Sequence, residues 1–173
     1  MKNVLSFALM AAFLFAGTTT QAQEKKKPAS PPMSVTETLK SGAVVSINYS
    51  SPSVKGRTIG KDLEPKAGEV WRAGANEATV FETSKDLSIE GQNLPAGKYG
   101  LFILSGEDKW TVIFNKTWKQ WGAMGYKEAD DALRIMVKAD KAKTFAESLM
   151  YTIDKNGKIG LVWGDHQISF KAK

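Results

Sequence analysis

The stretch YGLFILSGEDKWTVIF, residues 99–114, decides the fold class of this 173-residue chain. It contains two short apolar runs, residues 99–104 and 110–114, joined by the polar, glycine-containing segment 105–109. Runs of this length that are apolar at successive positions are typical of strands with both faces covered. The polar link has the composition of a hairpin turn. The stretch therefore predicts a central antiparallel hairpin whose two faces are both buried.

Other segments of the chain alternate apolar and polar residues with a period of two, which indicates half-buried strands. The alternation covers residues 45–50, 133–138, 149–154, 159–163 and 168–170. Turn residues separate several of these strands: Asp154–Gly157 is predicted to join two of them, and Gly164-Asp165 the last pair. No long window has helical spacing, although residues 140–148 have room for one or two helical turns. We predict an all-β fold, an antiparallel β-sandwich, with a jelly roll as one variant.

The N-terminal residues have the order of charge, apolar length and small side chains found in secretory signal peptides. Lys2 precedes an apolar stretch over residues 4–16, and Thr20 and Ala22 occupy the positions before the expected cleavage. Such a stretch is too short to span a bilayer, which needs about 20 residues. We predict a signal peptide over residues 1–22, a flexible Lys/Pro-rich linker over 23–33 and one β-sandwich domain over 34–173. The expected location is the periplasm or the exterior of a Gram-negative bacterium, with no membrane span after cleavage.

The composition excludes several kinds of site. The chain has no cysteine and a single histidine, so disulfides, thiolate metal sites and sites with two imidazoles are ruled out. We expect no metal and no cofactor. The net charge of +6 falls to +3 from Met33 onward, where 20 basic residues face 17 acidic ones. A mixed surface of this kind predicts no nucleic-acid partner.

The first candidate site lies in EVWRAGANEAT, residues 69–79, where Trp71, Arg72, Asn76 and Glu77 stand close together. The guanidinium, amide and carboxylate groups would suit a polyol, a carboxylate or a phosphate. Arg57 is expected to join them, and Arg72 is expected to lie close to Glu77. The alternative interpretation is an internal Arg–Glu pair that braces one end of the sandwich.

The second candidate site is the segment NKTWKQWGAMGY, residues 115–126, which contains Asn115, Trp118 and Trp121. Indole rings beside amides are typical of carbohydrate binding, because the ring stacks on a sugar while the amides bind its hydroxyls. The alternative is that both indoles fill the open end of the sandwich, since tryptophan is usually mostly buried.

The chain resembles a family of exported bacterial proteins, the domain of unknown function two-nine-one-one, which is common in the Bacteroidetes. The resemblance covers most of residues 34–170 and is carried by three segments: SPSVKGRTIG, EVWRAGANEATVFETSKDLSIEGQNLPAGKYGLFIL and WTVIFNKTWKQWGA. It implies a secreted or periplasmic β-rich domain and supplies no activity, substrate or catalytic residue. The positions that match its most recognisable motif are Trp71, Arg72, Gly74, Ala75, Asn76, Glu77 and Thr79. The chain departs from the family at Gly60, where an aromatic residue is frequent.

Three functions are compatible with these residues. The leading hypothesis is non-catalytic binding of a small polar or carbohydrate ligand near Arg72, Asn76, Glu77 and Trp121. The second is a glycan-processing enzyme with Glu77 as acid or base, which needs another carboxylate about 5–10 Å away. The third is a structural envelope protein, in which the candidate side chains would all be buried and hydrogen-bonded.

Overall fold

A computed structural model describes residues 28–173 of the chain. The predicted signal peptide and residues 23–27 of the predicted linker lie outside this range. Within it, ten strands and one short 3-10 turn, Glu128–Asp130, form the ordered elements, and there is no α-helix. The strands are β1 Pro32–Thr38, β2 Val44–Ser50, β3 Val70–Trp71, β4 Ala75–Thr83, β5 Leu87–Ile89, β6 Gln92–Leu94, β7 Gly97–Leu104, β8 Lys109–Asn115, β9 Asp131–Ile153 and β10 Lys158–Lys171. Pro32 and Met33, the last residues of the predicted linker, belong to β1.

The main sheet is antiparallel, and its strands follow chain order as β1-β2-β4-β7-β8-β9-β10, with β3 paired to β7. The sheet curls into a half-barrel because the segment after β2 bonds to the distant part of β9. The Val54 amide donates to the Glu147 carbonyl at 2.8 Å, and the Leu149 amide donates to the Pro52 carbonyl at 3.0 Å. The predicted all-β, antiparallel, sandwich-like fold is confirmed. Its facing layers come from one curled sheet, supplemented by the small β5–β6 sheet.

The core lies inside the curl and is built from the alternating apolar positions of the strands. Phe114 is central, with ring centroids 5.0 Å from Phe81 and 5.9 Å from Phe170, both edge to face. The tyrosine pair Tyr49 and Tyr151 extends this packing toward the end where β3 and β4 meet, with centroids 4.8 Å apart. Burial of these large rings is the main source of stability in a chain that has no disulfide.

The central hairpin predicted from residues 99–114 is confirmed as β7 and β8. Its inner face contributes Leu101 and Phe114 to the core, while Phe102 and Ile113 are fully buried on the opposite face. The loop after β8 covers that opposite face, where Ala123 and Tyr126 pack on Phe102 and Ile113. The outer apolar face of the hairpin therefore provides the surface on which the loop with the second candidate site packs.

The last two strands are longer than the sequence predicted. Residues 140–148 form part of β9 and not a helical turn, and Gly164-Asp165 lies inside β10 and not at a turn between strands. The register between β9 and β10 shifts on both sides of Gly164, since Val162 pairs with Met150, Gly164 with Ala146 and His166 with Lys141. The extra residues on β9 are bulges, which bend a strand and interrupt its period-two pattern.

Candidate functional site

A large bulge in β4 forms the surface on which the candidate residues lie. Ala75 pairs with Ser50 and Val80 with Asn48, so four residues of β4 stand opposite a single residue of β2. Asn76 has φ = 61° at this point, and Ala73 just before the strand has φ = 53°. Left-handed backbone at residues other than glycine is strained, although asparagine tolerates it better than most.

The bulge turns residues 76–78 away from β2 and toward the loop after β8. The Ala78 amide donates to the Gln120 carbonyl at 3.0 Å, and the Gly122 amide donates to the Asn76 carbonyl at 3.0 Å. Glu77 and Trp121 stand opposite each other in this antiparallel bridge. The two candidate segments of the sequence are therefore joined into one surface by backbone hydrogen bonds.

On one side of the bulge lies a cleft of about 270 Å³, here named the arginine cleft. Its walls include the indoles of Trp71 and Trp163, and its polar groups come from Arg57, Glu64, Arg72 and Asn76. Both indole N–H groups donate away to backbone carbonyls, Trp71 to Gly74 at 3.0 Å and Trp163 to Glu64 at 2.8 Å. The indoles therefore form fixed apolar walls for the cleft.

The backbone around Arg72 is held rigidly. The Ala73 carbonyl accepts hydrogen bonds from the Thr79 hydroxyl at 2.9 Å and the Tyr151 hydroxyl at 2.7 Å. A Cβ on Gly74 would lie 2.6 Å from the Thr79 hydroxyl oxygen, so this position requires glycine. Burial lowers the pKa of Arg72, and the nearby charge of Glu64 partly offsets that effect.

Arg57 lines the arginine cleft, but its guanidinium is bound to its own turn. Its Nε donates to the Val54 carbonyl at 3.1 Å and its Nη2 to the Ser53 carbonyl at 2.7 Å. Asn76 makes one long hydrogen bond, from Nδ2 to the Ser30 carbonyl at 3.4 Å. Arg57 and Asn76 thus line the same cleft as Arg72, as expected, while two of the five N–H donors of Arg57 are already used.

On the other side of the bulge lies a second concavity, here named the outer groove. One part, of about 430 Å³, runs between β1, β2 and β4 over residues that include Ser34, Asn48 and Ser50. The other part, of about 410 Å³, reaches Trp118, Lys119, Gln120 and Trp121. Both parts share Glu77, Ala78 and Val80, so they lie side by side.

Trp121 is 60% exposed and is the most accessible aromatic side chain of the outer groove. Trp118 is half-buried, and the Lys98 ammonium lies 5.5 Å from its ring centroid. Gln120 is occupied internally, since its Nε2 donates to the Thr117 carbonyl at 2.7 Å and its Oε1 accepts from the Gly125 amide at 3.0 Å. The groove therefore offers one free indole face together with the exposed carboxylate of Glu77.

Asn115 and Trp71, both predicted as ligand-binding residues, are buried and hydrogen-bonded within the protein. The Nδ2 of Asn115 donates to the Lys127 carbonyl at 2.9 Å and to Asp131 Oδ1 at 2.7 Å, and its Oδ1 accepts from the Thr117 amide at 2.9 Å. This saturated amide anchors both ends of the loop that carries Trp121. Trp71 contributes only a wall to the arginine cleft.

The predicted pairing of Arg72 with Glu77 is not formed. Arg72 lines the arginine cleft and Glu77 the outer groove, and no ion pair joins them within residues 28–173. The bulge separates the two side chains, and the carboxylate near Arg72 is that of Glu64. Trp163 is distant from Arg72 in sequence, so no local pattern could have pointed to it. Glu64 is only eight residues from Arg72 but lies outside the 69–79 motif.

The part of the chain that the structure describes contains no group of three or more His, Asp or Glu side chains placed to hold a metal ion. In the same residues no helix is long and apolar enough to cross a membrane.

Fold and site together define a small antiparallel all-β domain with two concavities on either side of a strand bulge. The family described as "Protein of unknown function (DUF2911)" matches residues 30–172. The chain therefore belongs to this family, and the domain that the match covers is the curled sheet with both concavities. No curated protein and no solved structure matches the chain.

Proposed function

We propose that this chain is an exported, non-catalytic binding domain for a carbohydrate, with a sugar ring stacked on Trp121 in the outer groove. The observation that carries the proposal is that Trp121 is 60% exposed although its backbone is fixed against β4. Indoles are among the most buried side chains on average, so a rigidly displayed one indicates a binding surface. A sugar ring presents an apolar C–H face that suits such an indole.

The rest of the outer groove supplies the groups that a carbohydrate needs beside the stacking ring. Ala78 and Val80 form an apolar floor, and Glu77, Lys119 and Asn48 are exposed polar groups along the rim. Carboxylate and amide oxygens accept hydrogen bonds from sugar hydroxyls, while the amide and ammonium donate to them. Because the two adjoining parts of the groove together reach from Trp121 to β1, their extent favours an oligosaccharide over a single sugar.

The arrangement of carboxylates favours binding over hydrolysis. Among the described residues that line the outer groove, Glu77 is the single carboxylate. Glycoside hydrolysis with an acid and a base or nucleophile needs two carboxyl groups about 5–10 Å apart on either side of the scissile bond. The third hypothesis, a purely structural role, expects the candidate side chains to be buried and does not account for the exposure of Trp121.

Affinity electrophoresis and isothermal titration calorimetry with soluble fragments of cellulose, chitin, xylan and mannan test the proposal. We expect at least one of these to bind, and Trp121→Ala to weaken that binding by on the order of tenfold or more, which corresponds to a loss of about 1.4 kcal/mol or more. Phe145→Ala is the matched control, since Phe145 is 57% exposed but lies on β9, outside the groove. Equal affinity of Trp121→Ala and the wild type would overturn the proposal.

We also propose that the chain is an exported protein of a Bacteroidetes-type bacterium and acts in the periplasm or outside the cell. The support is the order of charge, apolar length and small residues over residues 1–22. Cell fractionation followed by N-terminal sequencing tests it. We expect a mature chain that begins at Gln23, and recovery of Met1 in the cytoplasmic fraction would contradict export.

A further inference from the structure

We propose that the arginine cleft is a second binding site, distinct from the outer groove, and that it takes the carboxylate group of a small organic monoacid on Arg72. Arg72 differs from the other two arginines of the chain in how its guanidinium is used. Arg57 donates to two backbone carbonyls, as described above. Arg134 contacts Glu128 at 2.9 Å, Asp131 at 2.8 Å and the Tyr126 hydroxyl at 2.8 Å.

Arg72 has no such partners among residues 28–173. Its Nε is buried and makes no hydrogen bond, and no carboxylate lies within 4.0 Å of its guanidinium. Arg72 as a whole is half-buried, but an N–H donor taken out of water without a partner is costly, and structures normally supply one. The planar fork of an arginine matches a carboxylate in two parallel hydrogen bonds. A ligand carboxylate would thus provide the hydrogen-bond partner that the described residues do not give the guanidinium of Arg72.

The strain around Arg72 supports a binding role for the cleft. Ala73 and Asn76, which both follow Arg72 in the chain, have φ of 53° and 61°, and the Ala73 carbonyl accepts hydrogen bonds from two hydroxyl groups. Strained backbone that the surrounding structure enforces is concentrated at functional sites. Here it holds Arg72 in the cleft that Trp71 and Trp163 also line.

The surroundings of Arg72 select the class of ligand. Glu64 lines the same cleft, so its negative charge opposes a doubly charged anion such as phosphate more than a single carboxylate. Trp71 and Trp163, which are almost wholly buried, present only small apolar areas to the cleft, and these suit an apolar body attached to the acid. The volume of about 270 Å³ limits this body to a small molecule.

The test is calorimetric titration of the purified chain with three probes: benzoate, glucuronate and inorganic phosphate. We expect at least one of the two carboxylates to bind and phosphate to bind more weakly. Arg72→Gln should weaken the carboxylate about tenfold or more, the effect of losing a charge-assisted hydrogen bond. Lys141→Gln, an equal change of charge at an exposed site on β9, should leave its affinity unchanged.

Glu64→Gln gives an independent result that does not depend on the folding of an Arg72 variant. Removing this charge should tighten carboxylate binding several-fold and strengthen phosphate binding by a larger factor. The proposal is overturned if neither carboxylate binds the wild-type chain, if Arg72→Gln binds them as the wild type does, or if phosphate binds the wild type most tightly. Trp121→Ala should bind the carboxylate normally, so failure here is separable from failure of the carbohydrate proposal.

Discussion

Replacing Asn115 with alanine decides whether this residue binds ligand, as its sequence neighbourhood predicted, or anchors the loop that presents Trp121. Asn115 is 0% exposed and makes three hydrogen bonds, to Thr117, Lys127 and Asp131. Alanine removes all three and leaves their partners without the amide. The change therefore acts on both ends of the loop at once.

The expected loss of unfolding free energy follows from the three hydrogen-bond partners of the Asn115 amide. Two of the bonds join the amide to backbone groups and contribute about 1 kcal/mol each, while the bond to the Asp131 carboxylate contributes about 1.5–3 kcal/mol. We therefore expect Asn115→Ala to lower the free energy of unfolding by about 3–5 kcal/mol. Most of this loss reflects buried polar groups left without a partner.

Urea denaturation followed by circular dichroism measures the change, with Asn93→Ala as the control. Asn93 is exposed on β6, and its replacement should alter the free energy of unfolding by less than about 0.5 kcal/mol. If Asn115→Ala unfolds at the wild-type urea concentration but no longer binds carbohydrate, the residue is a ligand-binding one and the interpretation as an anchor is refuted.

Three further predictions concern stability. Gly157→Ala should cost about 2–4 kcal/mol in urea denaturation, because Gly157 has φ = 82° and its new Cβ would clash with the backbone carbonyl of Ala172. Gly91→Ala, with φ = 85° and open space around it, should show only the smaller backbone cost. Tyr151→Phe should cost about 1 kcal/mol, measured in the same way, because it removes the 2.7 Å bond that holds the Ala73 carbonyl. Burial raises the pKa of all four tyrosines, that of Tyr126 to about 12. The free energy of unfolding should therefore be at its full value below about pH 10 and fall as the pH rises through the folded-state pKa values. Alkaline denaturation checks this, and an unchanged free energy of unfolding between about pH 10 and pH 12 would contradict it.

The central hairpin could be predicted from the sequence because its information is local. Residues 99–114 carry the doubly apolar pattern and the turn within a single stretch. The Asp154–Gly157 turn was predictable for the same reason, and the Asp154 carboxylate accepts the Asn156 amide at 2.8 Å there. In each case the residues that decide the structure are neighbours in the chain.

The bulges could not be predicted, because a bulge breaks the alternation from which strands are recognised. In β9 the extra residues opposite β10 interrupt the period of two, so residues 140–148 resembled a non-strand segment. In β4 the bulge at Asn76 separates Arg72 from Glu77, although the two are close in sequence. Asn76, a residue type that tolerates left-handed backbone, was the local sign of this bulge.

The most direct measurement is the proton–nitrogen correlation spectrum of the five tryptophan indoles, recorded while the oligosaccharide that binds most tightly is added. The Trp121 signal is assigned by its absence in Trp121→Phe. We predict that this signal shifts in a saturable way, while the signals of Trp71 and Trp163 in the arginine cleft stay in place. A saturable shift of Trp71 or Trp163 with an unmoved Trp121 would contradict the assignment of the outer groove as the carbohydrate site.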